Sequence, residues 1–60
     1  MNELETVKKR IRDYMNEAAD YLACGGAKSF EEYHRIVGKI EALALIEREI
    51  IDTEALLLNE

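Results

Sequence analysis

Two apolar rows, each with a seven-residue spacing, constrain most strongly what this chain can fold into. Ile36, Leu43, Ile50 and Leu57 form the first row, and Val37, Ala44, Ile51 and Leu58 form the second, one residue further on. Adjacent rows with this period run down one side of a single long helix, as in a helix facing the core of a bundle. The helix has a clear start. Cys24-Gly25-Gly26-Ala27-Lys28 breaks the pattern, and Ser29-Phe30-Glu31-Glu32 restarts it as a capping box. In that motif the serine hydroxyl accepts from the backbone three residues on, and the glutamate reaches back. The spacing predicts a helix over about residues 30–58.

The residues before the break supply something for that stripe to pack against. Leu4, Val7, Ile11, Tyr14, Ala18 and Tyr21 are separated by alternating steps of three and four, an a/d heptad seam on a helix over about residues 2–24. Met15 and Leu22 widen the seam on one side. Asn2 can cap this helix with Glu5 reaching back, and Glu5 stands four residues before Lys9, a favourable ion-pair spacing.

A loop this short turns the second helix antiparallel to the first. The expected architecture is therefore all-α, an antiparallel two-helix hairpin making one domain over residues 1–60. Around the loop, Tyr21 should face Tyr33, Ala18 face Ile36, Tyr14 face Ile40, Ile11 face Leu43 and Leu4 face Ile50. Gly38, near Ala42 and Ala44, points to close approach of another helix, because glycine inside a helix otherwise costs about 1 kcal/mol relative to alanine.

One partner helix cannot cover all of this stripe. The second helix outruns the first, and a stripe two residues wide plus Leu45 and Ile46 leaves an apolar face over. Monomers seldom expose such a patch above a few hundred Å². The hairpin is thus expected to assemble into a homo-oligomeric helical bundle, with a dimer favoured, or to dock on a larger protein. The residues expected to make those contacts are Ile36, Val37, Ile40, Leu43, Ala44, Ile50, Ile51, Leu57 and Leu58.

Length points the same way. A 60-residue chain buries only about 60% of the surface its unfolded form exposes. Small domains make up the difference with disulfides, metals or association. One cysteine and one histidine supply neither an internal disulfide nor a four-ligand metal cage, which leaves association. No apolar run approaches the ~20 residues that span a bilayer. The acidic start, Met1-Asn2-Glu3-Leu4-Glu5, does not read as a secretory signal, so a reducing, cytoplasmic setting away from the membrane is expected.

Chemistry is harder to find. The densest basic patch is Lys8, Lys9, Arg10 and Arg12, a candidate for phosphate contact in a small nucleic-acid-binding regulator. The net charge of −5, all of it in the second half, argues against nucleic acid as a partner. Without interleaved exposed aromatics, the patch reads more simply as a solvated helix face. His34 reads as a surface residue near the loop, and Cys24 as a small buried one. Gly25-Gly26-Ala27-Lys28-Ser29 lacks the strand and the full pattern of a phosphate-binding loop. Glu47, Glu49, Asp52 and Glu54 form a solvated acidic face with nothing to shift a carboxyl pKa. No nucleophile–base pair or ligand cluster stands out, so neither catalysis nor a cofactor is expected.

One stretch carries a resemblance. Cys24-Gly25-Gly26-Ala27-Lys28-Ser29-Phe30-Glu31-Glu32-Tyr33, followed by Val37-Gly38-Lys39-Ile40-Glu41-Ala42-Leu43-Ala44-Leu45-Ile46-Glu47-Arg48-Glu49-Ile50, resembles a group of short tailed-bacteriophage proteins. Their genes tend to lie among virion structure genes. The resemblance spans roughly residues 21–52 and implies a helical morphogenesis or virion-associated protein, in the host cytoplasm or on the particle, with a larger phage structural protein as a possible partner. It implies no enzymatic activity. In length and plan alone, the chain is also similar to Rop-type hairpin dimers that bind RNA.

Overall fold

The computed structural model describes residues 3–58, so the expected cap Asn2 lies outside them. Helix α1 spans Glu3–Ala23 and helix α2 spans Phe30–Leu58. Both begin with two acids in the first turn, Glu3 and Glu5 in α1 and Glu31 and Glu32 in α2, where they complement the positive end of the helix dipole. Three cross-links set the direction of the pair. Tyr21 meets Glu32, Arg12 meets Glu47 and Lys8 meets Glu54. Falling numbers on α1 meet rising numbers on α2, so the hairpin is antiparallel. With 29 residues against 21, α2 is the longer arm.

The loop is built from backbone geometry. Gly25 takes a φ of +75°, the left-handed conformation that side-chain-bearing residues resist. Its N–H donates to Leu22 O at 3.1 Å, and the Gly26 N–H donates to Tyr21 O at 2.8 Å. These two bonds make a Schellman motif, which satisfies carbonyls that the end of α1 would otherwise orphan. Gly26 is needed for a different reason. A Cβ there would stand 2.5 Å from Tyr21 Cε1, inside contact distance of the ring.

Ser29 caps α2 as expected, its Oγ accepting from the Glu32 N–H at 3.1 Å. The return half of the capping box is diverted. Glu32 accepts instead from the Tyr21 hydroxyl at 2.8 Å and from the Lys28 N–H at 3.4 Å. The carboxylate therefore ties the start of α2 to both α1 and the loop.

The seam on α1 is turned relative to its expected position. Leu4, Lys8, Ile11, Met15, Ala18 and Leu22 face α2, while Val7, Tyr14 and Tyr21 lie exposed on the flank. The two seams share Leu4, Ile11 and Ala18, so the helix is rotated by part of a turn. Among the described residues only Ile11 and Met15 are buried, at 8% and 9% exposure. Lys8 enters the seam because its aliphatic stem covers apolar surface while its ammonium reaches carboxylates at the edge. The open end also departs from the expected pairing of Leu4 with Ile50: Lys8 already reaches as far as Glu54.

The result is a rod with principal extents of 48 × 19 × 12 Å and a radius of gyration of 14.2 Å. A compact 60-residue domain would have a radius near 10 Å. No helix in the described residues is long and apolar enough to cross a membrane.

Candidate interaction surface

The double row on α2 divides between two environments. Ile36, Leu43 and Ile50 of the first row, together with Ile40, are half-buried toward α1. In the second row Val37 and Ala44 are half-buried, while Ile51 and Leu58 are exposed. Leu57, at the end of the first row, is exposed as well. Of the nine expected contact residues, six are therefore half-buried within the hairpin. Ile51, Leu57 and Leu58 stand out in solvent with Leu45, Ile46 and Leu56.

The second row is one residue longer than the four expected. Phe30 lies seven residues before Val37 and is 74% exposed. The row thus reads Phe30, Val37, Ala44, Ile51, Leu58. Phe30 is also the hub of a small aromatic group, its ring edge-on to His34 at 4.3 Å and stacked with Tyr33 at 6.5 Å. The missed signal was available, since the seven-residue period continues backwards into the capping box. His34 is exposed as expected, whereas Cys24, expected to be buried, is exposed. The left-handed glycine that follows ends the helix and carries the chain away from the seam before Cys24 can be covered.

Gly38 makes no close approach within the hairpin. Nothing lies within 4 Å of the place a Cβ would occupy. Its position on the outer side of α2 explains why α1 does not meet it.

On the opposite flank, Tyr14, Tyr21 and Ala18 of α1 and Ile36, Arg35 and Lys39 of α2 border an open groove of about 350 Å³. Glu17 and Glu32 complete it, so the groove mixes both charges with aromatic faces. The Tyr21–Glu32 hydrogen bond within it shifts both groups. That bond is the main cause holding the Glu32 carboxyl below its ordinary value, helped by the Lys28 N–H. The same bond, with partial desolvation, pushes the Tyr21 hydroxyl up.

The basic patch is largely occupied by carboxylates. Lys8 bridges Glu54 at 2.7 Å and Glu5 at 3.4 Å, and the Glu54 bond is the main cause raising its pKa. Arg12 reaches Glu47 at 2.6 Å, and Lys9 pairs with Asp13 at 3.1 Å. Lys9 thus pairs forward along α1 with Asp13, and Glu5, its expected partner, meets Lys8. Arg10 sits with Lys9 beside Asp13 and Glu17 at a shallow depression of the same surface. A phosphate entering here would have to displace carboxylates already in contact. Glu47 and Glu54, read from the sequence as solvated, join Glu32 in tying α2 to α1. Among the described residues, no group of three or more His, Cys, Asp or Glu is placed to hold a metal ion.

No family model, no curated protein and no solved structure matches this sequence.

Proposed function

We propose that this hairpin is a non-enzymatic helix–helix interaction module that serves tailed-phage particle assembly, either by self-association or by docking on a larger virion component. The observation that carries the reading is the surface left uncovered. A compact monomer of 6.9 kDa exposes about 4,000 Å². This chain exposes 4885 Å². The difference, roughly 900 Å², is close to the share of about 800 Å² that one partner contributes to a standard interface. Large apolar side chains exposed on α2 include Phe30, Leu45, Ile51 and Leu58. The phage setting rests on the resemblance read in the sequence of residues 21–52.

Two measurements test it. Light scattering over a concentration range should report a mass above that of one chain for the wild type, and Ile51→Asp should lower that mass or abolish docking. An Ile51→Asp protein with unchanged mass and helicity would overturn the contact surface. In a phage that encodes the protein, the same substitution should cut the yield of complete particles, and a normal yield would overturn the assembly role.

A further inference from the structure

The second apolar row is symmetric about its own centre. From Ala44, Val37 and Ile51 lie seven residues away on either side, and Phe30 and Leu58 lie fourteen away. The side chains grade in the same order, with a methyl at the centre, β-branched groups next and the largest at the ends. A row with this symmetry is complementary to a reversed copy of itself. We infer that a second copy of the chain packs antiparallel against α2 along Phe30, Val37, Ala44, Ile51 and Leu58, with the two-fold axis at Ala44.

This rests on the self-association branch of the proposed function and specifies its geometry. The small central residue lets the two α2 helices approach closely at the axis. Val37 of each copy then meets Ile51 of the other, and Phe30 at the loop end meets Leu58 at the open end. The two most exposed members of the row, Phe30 at 74% and Leu58 at 86%, are thereby covered together. An isologous contact of this kind closes after two chains.

Charge selects the antiparallel direction. Glu41 and Arg48 stand four residues beyond Val37 and Ala44, on the outer edge of the row. In an antiparallel pair centred at Ala44, Glu41 of one copy lies within one residue of level with Arg48 of the other, on the same edge, twice over. In a parallel pair these edge residues would lie on opposite sides of the seam from their copies, and this pairing would be lost. Arg48 is exposed and pairs with Asp52 at 3.5 Å on its own helix, an open contact that a second copy can share or exchange.

Cross-linking tests the arrangement in a Cys24→Ser background, which removes the one native thiol. Val37→Cys and Ile51→Cys are prepared separately, their masses are measured in solution, and each is oxidised with diamide alone and as an equimolar mixture. The expected result is a covalent dimer that forms at least tenfold more from the mixture than from either protein alone. Cross-linking of the single variants instead would show a parallel pair and overturn the inference while leaving self-association standing. A dimeric mass without any cross-link would remove this row as the contact. A monomeric Cys24→Ser parent at all concentrations would overturn the inference and leave only docking on a larger component. Should the two variants dissociate although the parent dimerises, Ala44→Cys decides, since it adds a single sulfur at the axis. A 44–44 disulfide is then expected, and its absence overturns the proposal.

Discussion

The Tyr21 hydroxyl donates to Glu32 Oε1 at 2.8 Å, joining the last turn of α1 to the first turn of α2 across the loop. One bond thereby links the end of the first helix, the ring that covers Gly26 and the carboxylate that completes the cap of the second. Its loss should be felt as a change in pH dependence. The bond holds the Glu32 carboxyl below its ordinary value of 4.5. A carboxyl lowered on folding contributes stability above its unfolded pKa and loses it as pH falls through the folded one. Tyr21→Phe should therefore be less stable than wild type at pH 7, and the gap should narrow below about pH 4. Thermal melts followed by circular dichroism at both pH values check this, and NMR titration should find Glu32 shifted back toward 4.5. A stability gap that does not change with pH would show that the bond does not link folding to Glu32.

Gly26→Ala should act through the same tyrosine. Its Cβ would stand 2.5 Å from the ring, so the ring must swing away and surrender Glu32. The cost should fall sharply when Tyr21 is already alanine, because the clash is then gone. A double-mutant cycle of Tyr21→Ala and Gly26→Ala measures this coupling, and strict additivity would refute it. Gly25→Ala differs, since its cost of about 1 kcal/mol comes from the positive φ and should persist with or without Tyr21.

Ser29→Ala removes the hydroxyl that accepts from the Glu32 N–H and should cost about 1 kcal/mol. Ser29→Asp should recover most of it, because a carboxylate also accepts there and suits the helix dipole. Chemical denaturation at one fixed protein concentration is the check, fixed because association adds to apparent stability.

The rotated seam predicts which tyrosine-to-alanine and core changes matter. Met15→Ala and Ile11→Ala should each cost about 2–3 kcal/mol, since both side chains are buried. Tyr14→Ala should cost well under half of that, because Tyr14 is 52% exposed. A larger loss at Tyr14 than at Met15, again by denaturation at fixed concentration, would restore the seam expected from the spacing.

Local chemistry wrote much of the hairpin into the sequence. The serine cap, the glycine stop and the two periodic stretches place α2 at its expected limits and α1 within a residue of them, because capping and periodicity depend on neighbours only a few residues away. The seven-residue rows also mark which side of α2 is apolar. What they do not decide is how far each helix rolls. On α1 two seams fit the same shared residues, Leu4, Ile11 and Ala18. Only the partner helix chooses between them, by offering Glu54 and Glu47 where Lys8 and Arg12 can reach and Glu32 where the Tyr21 hydroxyl can reach. Those pairings join residues far apart in the chain, so no local pattern contains them. The roll then determines the outer face, turning Val7, Tyr14 and Tyr21 outward and leaving Phe30, Ile51 and Leu58 uncovered. Composition and spacing determined that this chain would be a hairpin with apolar surface to spare; where that surface lies was decided by contacts that form only when the two helices come together.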